Sequence, residues 1–176
     1  MPADSPVNEL ALAAIEADAQ AKALRTSRNE LNKIPFSMLY AFVNDPQFIP
    51  PLDFNAQINA DNDAQQNLDL LLEKASLVHM PMLAAASSGD SILRETDAAT
   101  IRLTASRAEP EQVYLQIQMK DVDAPMPSRL FVRKSGEQWI RMNLSEFVDA
   151  KVQELLAAND PVTQALNAPD SEVYLR

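Results

Sequence analysis

Cysteine is missing from this chain, and glycine nearly so: 2 glycines stand against 12 prolines in 176 residues. Without cysteine there is no disulfide, no thiol nucleophile, no zinc–thiolate site and no iron–sulfur cluster. Two glycines cannot build a Walker loop or a dinucleotide fingerprint, because both use several to bring backbone N–H groups onto phosphate. The same shortage removes the glycine-rich elbow and oxyanion loops of serine hydrolases. Histidine occurs once, as His79 in LVHMPM. A catalytic dyad or a transition-metal site would have to be built around it, whereas apolar neighbours point to a structural residue or a helix C-terminal group. Positive charge is scarce too, with 15 Lys and Arg against 25 Asp and Glu for a net charge of -10. Nucleic acid, which rewards cations through counterion release, is therefore not expected as a partner. No apolar run approaches the length of a membrane span, so no transmembrane segment is expected. The start, MPADSPVNEL, has neither a basic n-region nor an unbroken apolar h-region. A periplasmic or cell-envelope location then requires that a signal peptide was trimmed, and the cytoplasm is the expectation otherwise.

What is present is a globular composition, 47% hydrophobic and 23% charged. A chain of this length can bury roughly 70% of the surface its unfolded form exposes, which makes one domain over 1–176 the expectation. Ser5 and Pro6 read as N-cap and first helical position. After them Val7, Leu10, Ala14, Ala17, Ala21, Leu24 and Leu31 recur at helical spacing, predicting a long N-terminal helix over 1–33. Its alanine-rich stripe suits a helix laid on a sheet or a helical arm, and Arg28 interrupts the heptad that a dimerising coiled coil would need. Ile34 to Val43 reads as a short buried helix between Pro35 and Pro46. Leu52, Phe54, Ala56 and Ile58 alternate with polar residues and predict a strand. Asp61 or Asp63 can cap a helix carrying Leu68, Leu71, Leu72, Ala75 and Val78, which would stop near Pro81 with His79 at its end. Residues 84–90 read as a loop.

From Ile92 onward the period is two: SILRET, TIRLTAS with Ile101 and Leu103, and VYLQIQMK with Val113, Leu115, Ile117 and Met119. The next stretch, SRLFVRKSGEQWIRMNLSE over 128–146, predicts a β-hairpin. Leu130 and Val132 face one way and Phe131 the other, Ser135 and Gly136 turn, and Ile140, Met142 and Leu144 alternate with Trp139, Arg141 and Asn143. Ser145 or Asn143 is then expected to cap a helix carrying Phe147, Val148, Val152, Leu155 and Leu156, Asp160 and Pro161 to open a short helical turn, and SEVYL to form a last strand. The predicted fold class is α+β: one antiparallel β-sheet meander packed against helices, with a sheet and an inserted helix over 52–144 and C-terminal helices over 145–168.

The run RLFVRKSGEQWIRMNLSEFVDAKVQELL resembles the closing half of cell-envelope lipoproteins of the LolA-like superfamily. The match lies in Leu130, Val132, Gly136, Trp139, Ile140, Arg141 (where such proteins often have Lys), Met142, Leu144, Ser145 and Glu146, and the later D-P-V-T-Q-A-L and E-V-Y-L segments are similar to what often follows. The resemblance implies a curved antiparallel sheet with helices over its concave face and a cavity for an acyl chain. NTF2-like domains end in a similar Gly-x-x-Trp hairpin and also start with a helix.

Among candidate chemistries, DFNAQINADND over 53–63 spaces oxygen ligands like a calcium loop but lacks its central glycine, and Leu70 stands where the bidentate Glu belongs if Asn59 is the first ligand. Asp121 with Asp123, or Asp97 alone, are carboxylates that acid–base work would use, but they lie in segments rich in loop residues and a solvated turn is the better account. Asn143-Leu144-Ser145 matches a glycosylation triplet and also a strand end entering a cap. No metal, no cofactor and no catalytic residue is expected. The remaining feature is a set of pliable apolar side chains, Met38, Tyr40, Phe42, Met80, Met82, Met119, Phe131, Trp139 and Met142, which suit either a core or a cavity for an irregular apolar ligand. The functional expectation is a non-enzymatic binding protein of the bacterial cell envelope, with a lipid or other apolar small molecule held between sheet and helices. The alternatives are a protein-interaction or assembly module, including a homodimer, built on the first helix or a sheet edge, and a small NTF2-like enzyme.

Overall fold

The computed structural model describes residues 33–82, 86–88, 91–135 and 137–176. The predicted helix over 1–33 lies outside them, Lys33 apart. Helices α1 (Phe36–Asn44), α2 (Phe54–Ala60) and α3 (Asn62–Ala75) come first. Strands β1 (Val78–Met80), β2 (Ala86–Ser88), β3 (Ser91–Glu95), β4 (Ala99–Ala105), β5 (Gln112–Met119), β6 (Arg129–Lys134), β7 (Ile140–Asn143) and β8 (Lys151–Ala157) follow, then α4 (Pro161–Asn167) and β9 (Ser171–Leu175). The fold is α+β, and its strands form two antiparallel sheets: a four-stranded one in the order β1-β9-β6-β7 and a five-stranded one in the order β2-β3-β4-β5-β8.

The four-stranded sheet is the middle of three layers, because side chains of its central strands alternate between two cores. Leu130, Val132, Val173 and Leu175 face the five-stranded sheet and pack with Ile101, Leu103, Leu115 and Ile117. Phe131 and Tyr174, paired across β6 and β9, face the other way with Trp139. There they meet Leu39, Phe42 and Val43 of α1, Phe54 and Ile58 of α2, and Leu68 and Leu72 of α3. Burial of both faces makes β6 almost continuously apolar, and that is why the hairpin is the clearest signal in the sequence. The remaining face, the outside of the five-stranded sheet, is covered by no described element and carries the polar half of each alternating strand.

Several elements form as their residues predict. Asp61 caps α3 by accepting from the Asp63 and Ala64 N–H groups at 3.0 and 3.3 Å. Asp160 accepts from Val162 N at 2.8 Å with Pro161 opening α4. The turn at 134–137 is closed by Glu137 N donating to the Lys134 carbonyl at 2.9 Å. Pairing resumes at Val132↔Ile140, so the return strand absorbs an extra residue before it and Trp139 is delivered to the helix side.

Other expectations are corrected. The predicted strand Leu52–Ile58 is helix α2: Phe54 and Ile58 are four apart, a spacing that both a strand face and a helix face allow, and both are buried, while Leu52 is fully exposed. The predicted helix after Ser145 is instead a turn followed by β8, in which Val152 alternates with exposed Lys151 and Gln153. Glu154 on the same side as Val152 broke the alternation that would have revealed a strand, and its carboxylate accepts from Ser145 N at 2.6 Å. Helix α3 ends at Ala75, and His79 therefore sits in a strand. Residues 86–88, expected as loop, pair with β3. The hairpin does not continue the meander: after β5 the chain crosses to the other sheet, and only β8 returns.

Candidate functional site

The nine apolar candidates do not share one concavity. Phe42, Phe131 and Trp139 are buried in the helix-side core with Met38 packed against it, and the Phe42 and Phe131 rings meet edge-on at 5.6 Å. Met80 and Met119 are buried between the sheets, where Met142 is half-buried. Tyr40 and Met82 are exposed. Of four concavities of 380 to 950 Å³, one includes Met82, another Met119, and the other two none of the nine. A ligand among these side chains would have to open a packed core.

The largest of these four concavities, about 950 Å³, lies on the face of the five-stranded sheet that no described element covers. Its floor is two rows of side chains set by strand register: Leu93, Arg102, Gln116 and Gln153 in one, Glu95, Thr100, Gln118 and Lys151 in the next. Gln116 donates to Gln153 at 2.8 Å, and Lys120 on the rim pairs with Glu95 at 2.8 Å. Ser145, Glu146 and Val148 form one wall. That wall is held by a two-residue turn, with reciprocal bonds between Val148 and Lys151 at 2.8 and 3.0 Å. Its corner residues Asp149 and Ala150 have φ of 50° and 61°. Both sit in the left-handed region without being glycine, and such strain tends to persist where a site requires it.

A second polar group sits where α3 meets β1, β9 and β6. His79 Nε2 lies 2.9 Å from Glu172 Oε1, its ring stacked on Tyr174 at 4.3 Å, and the Tyr174 hydroxyl donates to the same oxygen at 3.0 Å. Arg133 bridges Asp69 and Glu172 at 3.3 Å each and lies over the Trp139 ring at 4.3 Å. Burial, then the adjacent Glu172, pushes the Tyr174 phenol well above its ordinary value, so it acts as a donor. Burial raises the Asp69 carboxyl against the pull of Arg133. These side chains engage one another beside a hollow of about 380 Å³ lined by Asp69, Arg133 and Glu172, with Asp69 Oδ1 buried and left without a hydrogen bond despite its ion pair to Arg133. Acid–base chemistry would first have to break that network. The network escaped sequence reasoning because His79 and Glu172 are 93 positions apart, although Glu172 and Tyr174 share a face by alternation.

The other sequence candidates are solvated. Asp97, Asp121 and Asp123 are exposed, and Asp123 N donates to Asp121 Oδ1 at 3.0 Å in a turn. Among the described residues no three His, Cys, Asp or Glu side chains come together to hold a metal ion, and no described helix is long and apolar enough to cross a membrane. Buried arginines were also missed. Arg94 donates to the Leu166, Ala168 and Ser171 carbonyls at the end of α4, while Arg129 and Arg141 donate to the Val43 and Phe42 carbonyls at the end of α1. Cations at helix C-termini are anchors, which accounts for them without a ligand.

No family model matches the chain, and no curated protein does. Among solved structures it is similar to the RGD-containing host-selective toxin Ptr ToxA of Pyrenophora tritici-repentis, at 12% identity over 58% of this chain and 97% of that one, with a TM-score of 0.28. A likeness of that size carries no argument about fold or function.

Proposed function

We propose that this is a non-enzymatic binding protein whose contact surface is the groove on the open face of the five-stranded sheet, and that its ligand is an extended polar chain rather than an apolar cargo. The observation that carries the reading is the groove itself: about 950 Å³ of concavity whose wall is fixed by two non-glycine residues in left-handed conformation. Asp149 is exposed while Ala150 packs into the core between the sheets, so the strained turn pins the wall to the sheet that forms the floor. The lining supports a polar ligand, since every floor side chain but Leu93 is an amide, a hydroxyl or a charged group and the sheet face offers them at a fixed pitch. The envelope-carrier expectation loses ground to this reading because its nine residues divide between two cores and the surface. An enzymatic reading is weaker still, with His79, Glu172, Arg133 and Asp69 already engaged with one another.

An unbiased display library of random peptides, selected on the wild-type protein, tests this. Gln116 is exposed at mid-groove, and Gln116→Trp fills the floor with a residue that suits a strand. The expected result is that most selected sequences lose binding to Gln116→Trp while its unfolding midpoint is unchanged. Binders indifferent to that substitution would remove the groove as the contact surface.

A further inference from the structure

We infer that the groove takes an acidic peptide in extended conformation, with two carboxylates about four residues apart on one face; this rests on the groove being the binding surface. The chain carries a net charge of -10, yet the groove is lined by three cations, Arg102, Lys120 and Lys151, and two carboxylates, Glu95 and Glu146. Lys120 and Glu95 neutralise each other at 2.8 Å. Arg102 and Lys151 are exposed and form no ion pair among the described residues. Glu146 on the wall offsets one of them, so the groove keeps an excess of one positive charge in a protein of net charge -10, and the two exposed cations on its floor are an electrostatic complement to an anion.

Register supplies the spacing. Arg102 on β4 is opposite Gln116 on β5, which is opposite Gln153 on β8; Lys151 lies one row over on β8, opposite Gln118. Two strand separations and a two-residue step put the two cations about 12 Å apart at the backbone. An extended peptide advances about 3.3 Å per residue and turns alternate side chains to one face, so side chains four positions apart, about 13 Å along the chain, reach both. Between the cations lie Gln116, Gln118 and Gln153, whose carboxamides each offer a donor and an acceptor, as the peptide group does. A saccharide is the less suited polymer, since no aromatic ring lines the groove to stack on a sugar face.

The test is fluorescence anisotropy of a labelled hexapeptide with Asp at its second and sixth positions and Ser or Thr between them. Its Asn counterpart and a polygalacturonate oligomer serve as competing probes. The acidic peptide is expected to bind the wild type, more weakly as salt rises, and to lose about tenfold in affinity with Arg102→Gln and Lys151→Gln together. Lys74→Gln, which removes one positive charge on α3 away from the groove, is expected to leave binding unaltered. Equal binding of the Asn peptide, or no loss in the double variant, overturns the inference. So does binding of polygalacturonate in place of the peptide, although an Arg102-dependent saccharide would keep the groove as the contact surface. Library-selected peptides that Gln116→Trp blocks but that carry no acidic pair would likewise overturn this inference and leave the groove reading standing.

Discussion

Asp69 is held where its charge is least welcome. Burial raises its carboxyl above the ordinary 3.8, Arg133 opposes that, and the nearby Glu172 adds to it. The native state therefore holds the Asp69 proton more tightly than the unfolded chain does. Between the ordinary value and the raised one, stability falls as pH rises, and above the raised value the penalty is complete. Replacing the charge by a neutral amide of the same shape removes the penalty and leaves Arg133 paired with Glu172. Asp69→Asn is expected to be at least as stable as the wild type at pH 7, with any advantage shrinking as pH falls through the carboxylate range. Urea midpoints at pH 7 and pH 4 measure this, and a lower midpoint for the variant at pH 7 would contradict it.

Among elements, β3 and α4 are joined by one side chain. Arg94 is 7% exposed and spreads its guanidinium over the Leu166 carbonyl at 3.0 Å, the Ala168 carbonyl at 2.5 Å, and the Ser171 carbonyl and hydroxyl at 3.0 and 2.7 Å. Arg94→Met fills much of the same space but strands the carbonyls at the helix end, and is expected to cost about 2–4 kcal/mol in chemical denaturation. A loss below about 1 kcal/mol would show that water replaces the guanidinium.

Which elements were legible follows from how many neighbours each needs. Helices α3 and α4 carry their own caps, β4 and β5 alternate cleanly, and β6 and β9 are short runs buried on both faces between polar ends, so local pattern sufficed. Helix α2 was misread because Phe54 and Ile58 satisfy both periods, and only contact with Phe42 and Phe48 selects the helix. Strand β8 was misread because Glu154 faces the apolar side, an arrangement stabilised by a backbone donor nine positions away. The groove was not legible at all: Arg102, Gln116, Gln153 and Lys151 become neighbours only through the order β4-β5-β8.

For the whole molecule, the three-layer order predicts where stability resides. Leu130, Phe131 and Val132 on β6 are fully buried, and β6 is flanked by β9 and β7 in the middle sheet. Strand β8 has the open face on one side and a sheet edge beside it. Amides of β6 and β9 are expected to be the slowest to exchange with deuterated solvent, close to the global unfolding limit, and those of β8 to exchange faster. Comparable protection in β8 would mean that its edge and open face are covered in solution.

The shared sheet also sets how the molecule can come apart. Phe131 belongs to one core while its chain neighbours Leu130 and Val132 belong to the other, so neither core can be dismantled while β6 keeps its place. Shifting β6 by one residue would invert both at once. The helical layer and the outer sheet, though they meet different faces, are tied to the fate of one six-residue strand, and heat should melt them in a single cooperative step.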